Sequence, residues 1–190
     1  MSGATPPDPR RTRSRAAILA AAQDVLVRDG VTAVTVEAVV QRSGVARSTV
    51  YRHFPTSTAV VVAALQDLAP QPTAPGTDVP VREALTTVLT DLLTDLGHAR
   101  WSAAFPSLLE AASRDEEMRQ VRDAFTRRQT APLREVLLRG VAAGELRAAD
   151  VERTVALLAG PLLYARLLEA GDLAPDLPAW LVARALPPPP

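Results

Sequence analysis

The chain has 190 residues, of which 47% are hydrophobic and 22% are charged. This composition supplies a core for one ordinary domain or two small ones, and it excludes a globally disordered chain. The sequence contains no cysteine, which excludes disulfides, thiolate nucleophiles and cysteine-ligated metals. No apolar run approaches the roughly 20 residues of a transmembrane helix, and the polar N-terminus lacks the apolar segment of a secretory signal. We therefore expect a soluble, cytoplasmic protein without cofactor or metal.

The charges are unevenly distributed, although the net charge is zero. All 21 basic residues are arginine, and residues 1–60 carry eight of them against four acids, a net charge of +4. Residues 61–190 carry 13 arginines against 17 acids, a net charge of −4. A basic N-terminal third on an acidic remainder is typical of a small nucleic-acid-binding head on a body with another task. Chance is the alternative explanation.

The N-terminal residues predict a disordered arm followed by a helix. Residues 1–12 are basic and rich in proline, and we expect no ordered structure there. From Arg13 to Asp29 apolar residues recur at helical spacing. Gly30 is then expected to end this helix in the left-handed conformation.

Three further helices are predicted before residue 69. Thr35 and Thr56 are placed to cap the first and the last of them, since a threonine hydroxyl can accept from a free backbone N–H. Gly44 supplies the tight turn after the first. Phe54-Pro55 ends the second, because a residue before proline avoids the α-conformation. The predicted ranges are 35–43, 47–53 and 56–68.

A proline-rich segment divides the chain. Residues 69–80, APQPTAPGTDVP, hold four prolines and one glycine and predict a linker between domains. The remainder is predicted to be helical, without persistent β alternation, and to end in a proline tail at 187–190. The predicted fold class is all-α, with a head at residues 13–68 and a larger body at residues 81–186. The predicted helices of the body are 81–96, 101–113, 116–139, 151–170 and 176–186.

The segment around Gly44 has the features of a helix-turn-helix. Such a motif needs a bracing helix, a tight turn and a second helix that is exposed along its outer side. A helical hairpin that serves only as packing is the alternative, and for an isolated hairpin it is favoured. The second helix would expose side chains that can contact phosphates and base edges: Arg47, Ser48, Thr49, Tyr51, Arg52 and His53.

The full pattern favours DNA binding. The segments ILAAAQDVLVRDG (18–30) and TVEAVVQRSGVARSTVYRHFP (35–55) closely resemble the DNA-binding domain of TetR-family transcriptional regulators. The rest of the chain resembles in outline the helical ligand-binding and dimerisation domain of that family. The resemblance implies a three-helix helix-turn-helix head on a helical body, acting as a nucleoid-associated homodimer on a palindromic double-stranded DNA operator. It further implies repression that is released by a small ligand.

The resemblance also implies particular DNA contacts. They are Thr35, Arg47, Ser48, Thr49, Tyr51 and His53, and Arg52 and Ser57 complete the predicted set. Two positions depart from the family: Ala46, usually a serine, leaves the second helix of the motif without a cap worth about 1 kcal/mol. Ser57, often a lysine, lacks a point charge for phosphate, although free N–H groups at a helix start can bind one. We hypothesise that the arginines at positions 10, 11, 13 and 15 compensate by reaching phosphates or the minor groove.

The body is predicted to dimerise and to bind a small apolar or amphipathic molecule. Helix 151–170 is apolar nearly all round, which favours a twofold interface shared with helix 116–143; a central helix of a monomer is the alternative. Side chains that could line a ligand cavity, each of them more often plain core, are Leu89, Leu93, Trp101, Phe105, Leu108, Leu109, Met118, Phe125 and Tyr164.

Two other classes of function stay open from the sequence. An enzyme is disfavoured, because the chain has two histidines, no cysteine, no phosphate-binding glycine loop and no HExxH pair. A DNA-binding adaptor or architectural protein without a small ligand is the nearer alternative.

Overall fold

The structure, a computed structural model, describes residues 9–69, 72–146, 151–168 and 174–186. Within these ranges the regular structure is entirely helical, which confirms the all-α fold class. None of the described helices is long and apolar enough to cross a membrane. The α-helices are α1 (Pro9–Asp29), α2 (Val36–Ser43), α3 (Arg47–His53), α4 (Ser57–Leu68), α5 (Val81–Gly97), α6 (Ala99–Arg114), α7 (Glu116–Ala142), α8 (Val151–Leu168) and α9 (Leu177–Ala185).

The chain forms two compact units. The head unit comprises residues 1–70 and 103–122, and the body unit comprises residues 71–102 and 123–190. These units divide the chain differently from the predicted head at residues 13–68 and body at residues 81–186, because most of α6 and the start of α7 belong to the head unit. A proline-rich segment in the sequence predicts where the chain leaves one packed unit. The apolar pattern of a later helix does not predict the unit in which that helix packs.

The first helix begins earlier than the sequence pattern predicts. Pro9–Thr12 are helical, which corrects the predicted disordered arm at these positions. The remainder of the predicted arm, residues 1–8, and the predicted tail, residues 187–190, lie outside the described residues.

The core of the head unit is built on one face of α1, against which α2, α3 and α4 pack. Apolar side chains from all four of these helices are almost completely buried there, and each contributes about 1.5–3 kcal/mol to folding when it leaves water. They include Ile18, Leu26, Val39, Val50, Val60 and Leu65.

Side-chain caps and one turn fix the helix starts as the sequence predicts. The hydroxyl of Thr35 accepts from the Ala38 N–H at 3.1 Å, and that of Thr56 accepts from the Ala59 N–H at 3.0 Å. Gly44 ends α2 in the left-handed conformation, with φ 67° and ψ 8°. Glycine adopts this conformation without the steric cost that a Cβ would bring.

Gly30 differs from its predicted left-handed conformation. Its φ of 87° is positive, but its ψ of 172° lies in a region that is open essentially to glycine alone. A 3-10 turn, Val31–Ala33, follows. The Val31 N–H donates to the Ser107 hydroxyl of α6 at 3.1 Å, and that hydroxyl donates to the Ala104 carbonyl at 2.8 Å. Gly30 thus lets the chain turn closely against α6 within the head unit.

In the body unit α5, α8 and α9 pack on one another. The proline-rich segment before α5 is bound to α7 by a single side chain. The Arg139 guanidinium donates to the carbonyls of Pro75 and Gly76 at 3.0 Å each and to that of Val79 at 3.2 Å. Prolines lack N–H donors, so carbonyls in such a segment outnumber local donors, and a guanidinium with five N–H groups can serve several of them.

A Cβ at Gly30 is predicted to destabilise the head unit. It would lie 3.2 Å from the Ser107 Cβ on a backbone that L-residues avoid. We expect Gly30→Ala to lower the free energy of unfolding by about 1–3 kcal/mol in chemical denaturation. Gly97→Ala is the matched control, since a Cβ at Gly97 meets no atom within 4 Å. Equal stability of the two variants would contradict this account of Gly30.

Candidate nucleic-acid interface

α3 carries the predicted contact surface. Val50 is its one buried side chain, and Phe54, which follows the helix, is buried beside it. Arg47, Ser48, Tyr51 and Arg52 are exposed, whereas Thr49 and His53 are half-buried. With 3.6 residues per turn, an anchor at Val50 directs the side chains on the other faces of this short helix away from the core.

The start of α3 lacks a side-chain cap. Ala46 occupies the cap position, where it forms no side-chain hydrogen bond, as its residue type predicts. The turn is held instead by Ser43, whose hydroxyl accepts from the Val45 N–H at 3.2 Å. The position of α3 therefore depends on Gly44 and on its packing rather than on its own first turn.

Arg47 is held between α2 and α3. Its Nη2 lies 2.5 Å from the Glu37 Oε1 and 3.5 Å from the Tyr51 hydroxyl. Its Cζ lies over the Tyr51 ring, 5.7 Å from the centroid, at a distance typical of a cation–π contact. The hydrogen bond to Tyr51, and then the charge of Glu37, raise the pKa of Arg47 above its ordinary value.

His53 joins the end of α3 to α1. Its Nε2 lies 3.0 Å from the Ser14 hydroxyl, and the Arg15 guanidinium lies 5.6 Å from the ring centroid of the adjacent Phe54. Burial lowers the pKa of His53, and the positive charges of Arg11, Arg52 and Arg15 lower it further. Basic side chains from α1 and α3 therefore concentrate positive charge around this imidazole.

The N-terminal arginines, which were predicted to reach DNA from an arm, lie on a helix in the structure. Arg11 and Arg15 stand on α1, one helical turn apart, rather than on a flexible arm. A rigid helix does not follow the minor groove as an extended arm does, but it can present two guanidinium groups to the phosphate backbone.

Thr35 and Ser57 lie at helix starts outside α3. The Thr35 hydroxyl accepts from the Ala38 N–H, which leaves its own proton free to be donated to a phosphate oxygen. Ser57 is the first residue of α4 and is half-buried. Within the described residues, no hydrogen bond or ion pair joins either of them to α3.

Glu37 and Ser14 are the partners that the sequence reasoning missed. An acid in the first turn of a helix is favoured by the helix dipole, so Glu37 has a local explanation on α2, and nothing in the local sequence marks Ser14. Helical periodicity gives the neighbours of a residue on its own helix, whereas both contacts connect different helices. The one feature of the sequence that could have singled out Glu37 is that it is the sole acid in residues 30–66.

The predicted ligand-lining residues are divided between the two units. Leu89, Leu93, Trp101 and Phe125 are buried in the body unit, where the Trp101 and Phe125 rings stack with centroids 4.9 Å apart. Phe105 and Leu108, which are buried, and Met118, which is half-buried, belong to the head unit. Within the described residues, no group of three or more His, Asp or Glu side chains could hold a metal ion.

Tyr164 is not a buried lining residue, because 58% of it is exposed. It lies on the face of α8 opposite to the buried Leu158 and Leu162. This outer face, which we call the α8 apolar face, consists of Leu157, Tyr164, Leu167 and Leu168, and the last of these is 73% exposed. Apolar surface of this kind on one helix is typical of a protein–protein contact.

The fold and the exposed α3 define a helix-turn-helix transcriptional regulator that binds DNA. Two family models match the chain: residues 18–64 match the bacterial regulatory proteins of the tetR family, and residues 77–185 match the tetracyclin repressor-like C-terminal domain. The chain belongs to the TetR family. Regulators of this family bind DNA operators, act as dimers and are generally not enzymes.

Known transcriptional regulators are similar to this chain in sequence and in fold. The HTH-type transcriptional regulator YdeS of Bacillus subtilis is 31% identical over 173 residues, which cover 88% of this chain and 85% of YdeS. The regulator FadR from Bacillus subtilis, solved in complex with stearoyl-CoA, has a TM-score of 0.67 at 18% identity, covering 90% of this chain and 97% of FadR. GusR from Salmonella enterica has a TM-score of 0.70 at 16% identity and 95% coverage of both chains. At such identities the solved structures show a common fold alone.

The lowered pKa of His53 predicts a pH-dependent affinity for DNA. Phosphates beside His53 would favour the protonated ring, so its pKa rises on binding and the complex takes up a proton. Affinity should therefore increase as the pH falls towards and below the ordinary value of 6.5, and level off below the pKa of the free protein. Fluorescence anisotropy with a short duplex between about pH 5.5 and 8 measures this. His53→Gln should remove the dependence, and an unchanged dependence in that variant would show that another group is responsible.

Proposed function

We propose that this protein is a dimeric repressor whose two α3 helices enter successive major grooves of a palindromic operator. Binding of a small apolar or amphipathic molecule to the body then releases the operator. The observation that carries the proposal is α3 itself, with Val50 buried and arginine, hydroxyl and phenol groups exposed. These are the groups that pair with base edges and phosphates, and they stand on a helix that the core holds in place.

Different exposed groups suit different parts of DNA. Arg47 and Arg52 can donate bidentately to a guanine edge, and the hydroxyls of Ser48 and Thr49 can pair with either bases or phosphates. Tyr51 can donate to a phosphate oxygen. The α1 arginines beside His53 add phosphate contacts, each of which makes the dependence of log K on log salt steeper by about 0.9.

The α8 apolar face supports a dimer of two copies. Leu157 and Tyr164 lie one above the other on α8, while Leu158 and Leu162 on its opposite side are buried in the body unit. Apolar surface on both sides of one helix fits an element that serves the core and a twofold contact together. Two heads are needed to read two half-sites, whose centres lie about 34–36 Å apart along the duplex.

The chemical class of the proposed ligand is inferred from the side chains in the core of the body unit. Its core is dominated by leucine side chains and by the stacked Trp101 and Phe125 rings, an environment that favours apolar molecules. FadR, which shares the fold, was solved with stearoyl-CoA, an amphipathic ligand. Because α6 and α7 each contribute residues to both units, a ligand that shifts either helix in the body unit also acts on the head unit.

Selection of duplexes from random DNA, followed by affinity measurement, tests the DNA-binding part of this proposal. We expect an enriched palindrome, and we expect Arg52→Ala to weaken binding to it by about tenfold to a hundredfold, corresponding to about 1–3 kcal/mol for one base contact. Arg114→Ala on α6 is the control, since this exposed arginine pairs with Glu110 on its own helix. Failure to enrich any sequence would refute sequence-specific binding.

Substitutions that introduce negative charge on the α8 apolar face are predicted to prevent dimerisation. We expect Leu157→Glu combined with Tyr164→Glu to give a monomer in sedimentation velocity, because each carboxylate would have to be desolvated in the interface. Helical content should be unchanged, since both positions are exposed. Thr87→Glu, at an exposed position of α5, serves as the control and should leave the dimer intact. A dimer that survives the double substitution would place the interface elsewhere.

A further inference from the structure

Glu37 places a negative charge beside the DNA-binding helix. It is the sole acid in residues 30–66, a segment that contains α2, α3 and most of α4. A carboxylate on a surface that meets phosphates opposes binding through repulsion. The dipole of α2 accounts for an acid in the first turn of that helix, but it does not account for a carboxylate in contact with α3.

Glu37 contacts the first residue of α3 directly. Its Oε1 lies 2.5 Å from the Arg47 Nη2, and the same Nη2 lies 3.5 Å from the Tyr51 hydroxyl. The side chains of Arg47 and Glu37 are 59% and 56% exposed, so both are accessible to DNA. An exposed ion pair adds little to folding, and its main effect here is on what the guanidinium is available to bind.

The ion pair with Glu37 affects which DNA groups can bind the Arg47 guanidinium. An arginine on a long, flexible side chain can neutralise a phosphate of any sequence, and such contacts supply most of the affinity for nonspecific DNA. While Glu37 holds Nη2, a single phosphate must compete with a carboxylate of the same sign. A guanine edge offers two acceptors, N7 and O6, in fixed geometry and gains more from the planar guanidinium than one phosphate does.

We propose that Glu37 is a specificity-determining residue, which competes with DNA phosphates for the Arg47 guanidinium and so weakens nonspecific binding more than operator binding. This role rests on the proposed DNA-reading function of α3. It is a case of discrimination gained by penalising the wrong partner rather than by adding a contact to the right one.

The test compares the full-length protein with Glu37→Gln on two duplexes of equal length and base composition. One duplex is the sequence enriched by selection with the unaltered protein, and the other is a scrambled version of it. We expect Glu37→Gln to tighten binding to the scrambled duplex by about two- to fivefold, the range of an exposed ion pair. The slope of log K against log salt concentration for the scrambled duplex should become steeper by about 0.9, which corresponds to one additional phosphate contact. Binding to the enriched duplex should change less, so the ratio of the two affinities falls.

Two further variants make the result specific. Glu110→Gln removes the same charge from an exposed pair within α6 and should leave the affinity ratio unchanged. In an Arg47→Ala background, Glu37→Gln should no longer alter the salt dependence on scrambled DNA, because the contact it releases is absent. Circular dichroism confirms that each variant keeps its helical content.

Three results would overturn the inference. Equal tightening on both duplexes would make Glu37 a simple repulsive charge, and persistence of its effect without Arg47 would do the same. A new preferred base in a repeated selection with Glu37→Gln, independent of Arg47, would show that the carboxylate itself contacts a base. If the unaltered protein fails to prefer any sequence, the proposed function fails instead, so the two failures are distinguishable.

Discussion

The DNA-binding surface depends on the burial of Val50 and Phe54 in the head unit. α3 has seven residues, which is too few for a stable isolated helix, and Ala46 gives it no side-chain cap. It is therefore held by tertiary packing against α1 and α2, with Val50 and the following Phe54 buried in the core. Because the core takes so few side chains of α3, the others are free to meet DNA.

The charges on this surface are arranged for binding rather than for the stability of the free protein. Burial lowers the pKa of His53, and three nearby arginines lower it further through repulsion between positive groups. Phosphates would relieve that repulsion. Arg47, by contrast, is restrained by Glu37 and Tyr51. One part of the surface thus carries uncompensated positive charge, which attracts any phosphate, while in another part an arginine is already paired with a carboxylate. In the proposed function, selectivity arises from the balance of the two.

Local features of the fold could be predicted from the sequence, and long-range ones could not. The caps at Thr35 and Thr56 and the turn at Gly44 depend on residues within four positions, so their signals are visible in the chain. The Ser14–His53 and Val31–Ser107 hydrogen bonds join residues that are 39 and 76 positions apart. The periodicity of apolar residues along the sequence carries no signal for such contacts. The same limit explains why residues 103–122 were assigned to the body and why the partner of Arg47 was missed. The helical conformation of Pro9–Thr12 was missed because proline was treated as a sign of disorder.

Methylation interference on the selected operator tests most directly whether α3 reads the major groove. Methylation of guanine N7 blocks an acceptor that lies in that groove. If α3 reads the major groove, interference falls on guanines in two symmetric half-sites, with centres about 10 base pairs apart or at a multiple of that spacing. Tight binding without interference at any guanine N7, in an operator that contains guanine in both half-sites, would contradict it.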